Sequence, residues 1–192
     1  CNNNISIAGP TETIKAIWDA ATAEEGGLLS AMVPQPANLF QGNLGIKERE
    51  ECAEQGIPNW YDWNVSNWGT KWDVGGDGQT DIHPDGKMLH TSFDSAWSPP
   101  VYAYDKLVEL GFGVNAMYYE GGMAYAGSYD EHGDQEINLD GMSADEIEQN
   151  HPELDEAFCI SENIREYEAE NQEEELTEWI KDGAEKKALI VL

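Results

Sequence analysis

The chain opens on an alternating stretch, Asn4-Ile5-Ser6-Ile7-Ala8, which predicts a strand with Ile5 and Ile7 on one face. Gly9-Pro10-Thr11 then turns it into a helix. Thr11 is the expected N-cap, and Ile14, Ile17, Trp18 and Ala21 recur at three- and four-residue spacing. Gly26-Gly27 is the expected stop. Residues 28–45 read as a loop-like path punctuated by Pro, Asn and Gly, with Leu28, Leu29, Met32, Val33 and Phe40 as apolar anchors. A short helix is predicted over 46–55, ended by Gly56 and Pro58.

Four of the seven tryptophans then fall between Trp60 and Trp72. Rings of that size bury most of their surface, so this segment must fold onto something. A helical turn is predicted over 60–64 and an extended path over 70–73, followed by a Gly- and Asp-rich loop to Gly86. Strand character resumes over 88–97, with Leu89, Thr91, Phe93, Ser95 and Trp97 facing one way. Pro99-Pro100 opens a helix striped by Val101, Tyr104, Leu107, Val108 and Gly111. Residues 114–120 and 123–129 read as a hairpin about Gly121-Gly122, and 135–140 as one more strand.

The order strand-helix-insertion-strand-helix-strand-strand predicts an α+β fold, a ferredoxin-like split βαβ sandwich. Its first and third strands should lie side by side in the middle, joined by right-handed crossovers, with both helices on one face. The predicted domain covers 1–140, with a Trp-rich insertion at 26–87. Residues 141–192 form an acidic helical extension. Ser143-Ala144-Asp145-Glu146 is a capping-type start, and Ile160/Ile164 and Leu176/Trp179/Ile180 keep helical spacing beyond it. Lys186-Lys187 suits a last helical turn.

Charge changes the picture. There are 38 Asp and Glu against 10 Lys and Arg, a formal net charge of -28. Such a surface repels phosphates, which argues against direct binding of DNA or RNA through a basic groove. It attracts basic protein surfaces, although salt adaptation and simple solubility produce the same composition. The candidate partner-binding residues are Glu162, Glu166, Glu170, Glu173, Glu174 and Glu178. A rigid helix of carboxylates can imitate the phosphates of nucleic acid. Cys1, Cys52 and Cys159 have neither disulfide nor zinc spacing and suit a reducing compartment. The opening Cys1 reads as a processing boundary rather than a lipid-attachment site, because a strand pattern follows almost at once. The longest apolar run, Ala188-Leu189-Ile190-Val191-Leu192, is too short to span a membrane.

Three stretches together are similar to the YubB-type family of phage and plasmid proteins. They are Cys1-Asn2-Asn3-Asn4 leading into Ile5-Ser6-Ile7-Ala8-Gly9-Pro10, the segment from Gly27 to Pro34, and the tryptophan segment. In the last, Trp60, Tyr61 and Trp63, then Asn67, Trp68, Gly69, Lys71 and Trp72, carry the resemblance. It covers roughly residues 1–130 and stops short of the acidic tail. It implies a ferredoxin-like accessory protein of the host cytoplasm and brings no catalytic residues with it.

The remaining constellations are weak. Asp73, Asp77, Asp81 and Asp85 recur every four residues in the loop, but the spacing is not that of a calcium-binding hand, and solvated turns are the expectation. His90 shares a strand face with Asp94, yet no nucleophile is placed beside it, so a polar strand face is expected. Tyr118, Tyr119, Tyr125 and Tyr129 lack the basic residues of an RNA-binding sheet. Lys71 is expected to stack on a ring or to pair with Asp62 or Asp73. No catalytic residue, cofactor or metal is expected. The leading expectation is a non-enzymatic protein that binds a basic host protein or complex and inhibits a host defence or nucleic-acid-handling system. The alternative is a small-ligand, nucleotide or peptide binding module using the sheet and the Trp-rich insertion.

Overall fold

The computed structural model describes residues 1–23, 26–74, 81–83 and 85–174. The chain divides into two compact units, Cys1–Leu139 and Asp140–Leu192. Among the described residues, no helix is long and apolar enough to cross a membrane.

The first unit is α+β. Its strands are β1 (Asn2–Ala8), β2 (Asp81–Ile82), β3 (Met88–Asp94), β4 (Gly113–Glu120), β5 (Tyr125–Asp130) and β6 (Gly133–Asn138). They form one antiparallel sheet in the order β2-β3-β1-β4-β5-β6. The helices are α1 (Thr11–Ala21), α2 (Leu28–Met32), α3 (Ile46–Gln55), α4 (Trp60–Asn67) and α5 (Val101–Glu109).

The first and third predicted strands are neighbours, as expected: Ile7 of β1 sits opposite Val114 of β4 and, on its other side, opposite Leu89 of β3. The route between β1 and β3 differs from the expected crossover. Ala8 and Met88 are register partners, and the Gly9 N–H donates to the Lys87 carbonyl at 3.0 Å. The chain therefore re-enters the sheet at the end it left. A lone helix would have carried it to the far end and made the next strand parallel; the long insertion brings it back and makes β3 antiparallel. The split βαβ unit is instead β3–α5–β4, with β1 between the two strands.

Alternation along the strands builds the core. Ile5, Ile7, Leu89, Phe93, Val114, Ala116 and Tyr129 cover one sheet face. Against them pack Ile14, Ile17 and Ala21 of α1, Leu28, Leu29 and Met32 of α2, and Ala103, Tyr104 and Leu107 of α5. Each fully buried aliphatic side chain contributes about 1.5–3 kcal/mol. The intervening positions, Asn4, Ser6, His90, Ser92 and Asn115, put a polar row on the opposite face.

Several local expectations are corrected. Pro10, not Thr11, is the N-cap of α1, and no side chain caps it. The helix ends at Thr22, whose hydroxyl donates to the Trp18 carbonyl at 2.7 Å, rather than at Gly26-Gly27. Helix α2 occupies part of the expected loop because a distant carboxylate caps it. The Leu29 N–H donates to Asp73 Oδ1 at 2.8 Å and the Ser30 N–H to Oδ2 at 3.2 Å. Residues 70–73 are irregular rather than extended, while α4 runs three residues beyond the predicted turn. Strand β3 stops at Asp94, and Trp97 lies in the following turn. Helix α3 matches its prediction, with Gly56 supplying the left-handed C-cap at φ 65.

One core residue carries an unpaid polar group. The Tyr104 side chain is fully buried, and its hydroxyl has no hydrogen-bond partner among the described residues. Burial pushes its ionisation well above the usual tyrosine range. Tyr104→Phe removes that group without removing a bond. The expected result is equal stability or a gain of up to about 1–2 kcal/mol, read from the urea midpoint.

The second unit is helical where it is described. Helix α6 (Ala144–Asn150) starts with a capping box in which the Glu146 N–H donates to Ser143 Oγ and the Ser143 N–H to Glu146 Oε2. Helix α7 (Pro152–Phe158) ends at Cys159, with φ 52, and residues 160–174 are helical. Leu176, Trp179, Ile180 and Lys186-Lys187 lie outside the described residues.

Candidate functional site

The acidic face is built from the helical periodicity of 160–174. Ile160 and Ser161 are buried and Ile164 half-buried, which fixes the inward side. At 3.6 residues per turn, Glu162, Glu166, Glu170, Glu173 and Glu174 fall within an arc of about 120° on the opposite side, along about 18 Å of axis. All five are exposed and, among the described residues, make no ion pair. Glu178 lies outside the described residues.

One group of charges on this unit is neutralised locally. Arg165 Nη1 donates to Glu148 Oε1 at 2.6 Å and Nη2 to Asp145 Oδ1 at 2.9 Å. The bond from Arg165 holds the Glu148 carboxyl below its usual range, and the two carboxylates raise the Arg165 guanidinium. The Ser161 N–H and hydroxyl both donate to Asp155, at 2.7 and 2.8 Å. The Ser143 N–H likewise lowers Glu146. Among the described residues, Arg165 thus pairs with Asp145 and Glu148 and with none of the arc glutamates, which keep their negative charge.

The tryptophan segment forms a second constellation. Asn59 caps α4 by accepting from the Asp62 N–H at 2.9 Å. Trp68 is 1% exposed; its indole N–H donates to the Val33 carbonyl at 2.9 Å, and its ring meets Trp63 edge-on at 5.5 Å. The Asn67 amide donates back to the Trp63 carbonyl at 2.8 Å. Gly69 turns the chain at φ 88 where a Cβ would stand 3.3 Å from the Pro99 carbonyl oxygen, so glycine is required twice over.

On the outer side the rings and cations alternate. Arg49 lies over Tyr61 at 4.8 Å, and Lys71 lies 5.9 Å from Tyr61 and 4.5 Å from Trp72. Trp72 stacks on Trp60 at 4.8 Å, and the Trp60 indole N–H donates to the Gly42 carbonyl. Lys71 therefore stacks on rings rather than pairing with Asp62 or Asp73. Asp62 is met by Arg49 at 3.5 Å and Asp73 caps α2. A groove of about 370 Å³ beside this ladder is lined by Arg49, Cys52, Ile57, Asp62, Trp63 and Asn67, among others.

The weaker constellations stay apart. Asp94 accepts from the Asn2 amide at 2.7 Å and does not orient His90. His90 Nδ1 instead meets Ser6 Oγ at 2.7 Å across the β1/β3 pair, on the open sheet face. His83 pairs with Asp85 at 3.2 Å, and the Lys87 N–H lowers the Asp85 carboxyl. Asp77 lies outside the described residues; among those described, no group of three or more His, Cys, Asp or Glu is placed to hold a metal ion.

Two residues were not singled out by sequence reasoning. Arg49 of α3 meets Tyr61 of α4 across 12 positions of sequence, and no local pattern announces it. Trp97 continues the alternation of the predicted strand, but it is 71% exposed in a left-handed turn. No family model matches the chain, and no curated protein or solved structure matches it either.

Proposed function

We propose that the chain is a phage or plasmid accessory protein of the YubB type. It acts by binding rather than catalysis. Its partner is a basic protein or complex of the host cytoplasm, which it inhibits by occupying a surface built for nucleic acid. The observation that carries this reading is the exposed arc Glu162, Glu166, Glu170, Glu173 and Glu174. Five charges along about 18 Å give one per about 4.5 Å, close to the 3.4 Å charge spacing of one strand of duplex DNA. The ordered Trp-Gly-Thr-Lys-Trp turn supports the family reading. The split β3–α5–β4 unit around β1, with α1 and α5 in one core, supports a ferredoxin-like sandwich with rearranged connections.

The test reverses the arc. Glu162, Glu166, Glu170, Glu173 and Glu174 are changed to Lys together, and both proteins are used as bait in lysate of a phage- or plasmid-bearing host. The expected result is a basic nucleic-acid-handling protein that the parent retains at low salt, releases at high salt, and that the variant fails to retain. Equal recovery by both baits would overturn the reading. A second reading, a small-ligand or nucleotide module, is favoured by the groove beside Arg49 and Trp63. It requires the tryptophan emission to change on titration with such a ligand.

A further inference from the structure

We propose that the outer edge of β6 receives a strand from a partner protein, one with lysine or arginine at alternate positions. The surface lies in the first unit and is independent of the reading above. The sheet ends at β6 among the described residues. The strand runs from Gly133 to Asn138 against β5, with no bulge in the register and no proline.

Which backbone groups face outward follows from the ladder. The Leu139 N–H donates to the Ala124 carbonyl at 2.8 Å. In an antiparallel pair, bonded partners alternate with unbonded ones. Counting back along the register, Ile137, Gln135 and Gly133 bond to β5, while Glu136 and Asp134 turn their N–H and C=O groups away from it. The Gln135 carbonyl oxygen fits the same phase, because it points at Gly127 of β5. Among the described residues, no other element makes a backbone bond to Asp134 or Glu136. Both residues are exposed. Their outward donors and acceptors are the template on which a further strand pairs.

Such edges are normally guarded by proline, lysine, a bulge or a covering segment. Strand β6 carries carboxylates instead, and their placement is specific. Asp134 faces Tyr129, and Glu136 faces Gly127, which in turn faces Tyr118. The two carboxylates therefore share the sheet face of those rings. The Tyr118 hydroxyl donates to Asp134 Oδ1 at 2.6 Å, which fixes that carboxylate without removing its charge. Glu136 has only a glycine opposite it on β5 and makes no ion pair among the described residues.

These carboxylates choose the partner's chemistry. An added strand brings alternate side chains directly opposite Asp134 and Glu136. Like charge there is destabilising and opposite charge stabilising. An acidic strand is repelled, and an apolar one must desolvate both carboxylates without pairing them. A basic strand satisfies both. A second copy of this chain is disfavoured, since edge-to-edge pairing would set these carboxylates against one another.

The experiment reads the edge directly. Glu162, Glu166, Glu170, Glu173 and Glu174 are changed to Gln in the full chain, so that the helical arc does not compete for cations. The backbone amides are labelled with 15N and followed by NMR while the peptide Thr-Arg-Val-Arg-Val-Thr, blocked at both ends, is added at low salt. Its counterpart with Glu in place of Arg is added in parallel. We expect saturable shifts and slowed hydrogen exchange at the Asp134 and Glu136 amides with the basic peptide, and neither with the acidic one. Glu136→Pro removes an outward N–H that the β5/β6 ladder does not use, so the fold should stand while binding weakens about fivefold. Glu136→Lys keeps every backbone group and should lose the preference for the basic peptide; it decides the matter if the proline lowers the melting temperature. Amides that ignore the basic peptide would overturn the proposal, as would an equal response to the acidic one or a preference unchanged in Glu136→Lys. So would a shift on concentrating the protein alone, which would make the edge a self-contact. Because the arc is neutral throughout, none of these outcomes touches the proposed function, whose own test leaves β6 intact.

Discussion

Trp68→Ala is expected to destabilise the first unit by about 3–5 kcal/mol, a large fraction of the stability of an ordinary domain. Three losses coincide at this residue. The ring is 1% exposed and belongs to the main core cluster, so truncation opens a cavity that its neighbours cannot fill by collapsing. The Val33 carbonyl loses its indole donor, and Trp63 loses its edge-on partner. The Trp68 carbonyl also accepts from the Ala103 N–H at 3.3 Å, so disturbance there is passed directly to α5. Urea unfolding should show a strongly lowered midpoint. Trp72→Ala is the control. That ring is 50% exposed and meets only Trp60 and the Lys71 ammonium among the ring contacts described, so its loss is expected to cost about 1 kcal/mol or less. Equal losses at the two positions would refute the division of the segment into an inner and an outer layer.

Gly127→Ala is the second large effect, and it works by overfilling. Gly127 faces Tyr118 across the β4/β5 pair, and Tyr118 is fully buried with its hydroxyl donating to Asp134 at 2.6 Å. A methyl group at Gly127 would run into the Tyr118 ring end and stand 2.7 Å from the Gln135 carbonyl oxygen. The ring can yield only by leaving Asp134, and the carbonyl belongs to the neighbouring strand. The expected cost is about 1–3 kcal/mol. Gly113→Ala is the comparison, because a Cβ there meets only Ala8 at an ordinary 3.6 Å. Its midpoint should move by about 0.5 kcal/mol or less. If Gly127→Ala were equally silent, the close approach of Tyr118 to β5 would be untrue.

What could be read from the sequence follows the range of the forces involved. Helix α3 matched residue for residue because its signals are local: a glycine with a left-handed conformation ends it and Pro58 prevents its return. The β4/β5 hairpin and the α6 capping box are local in the same sense. Helix α2 could not be read, since five residues rarely hold a helix alone and its cap comes from Asp73, 44 positions away. The end of β3 was missed for a related reason. The alternation of Leu89, Thr91, Phe93 and Ser95 extends naturally to Trp97, and bonds from Thr70, Tyr125, Ser95 and Ser98 hold the chain in a turn there. At the acidic arc, spacing alone placed five described glutamates on one side, because a helix converts sequence interval directly into angle. Which carboxylates would be neutralised was not readable, as it depends on Arg165 reaching back to Asp145 and Glu148.

The position of β1 has a consequence for how the molecule is made. This strand leaves the ribosome well before either partner: Asn2 pairs with Asp94 on one side and with Tyr119 on the other. Until β3 has emerged it has neither of its sheet neighbours, and its second flank stays open until β4 follows. Closing such distant pairs is entropically slow and leaves a strand edge unguarded meanwhile. Nascent chains halted before β4 should therefore be the form most readily captured by chaperones or lost to aggregation.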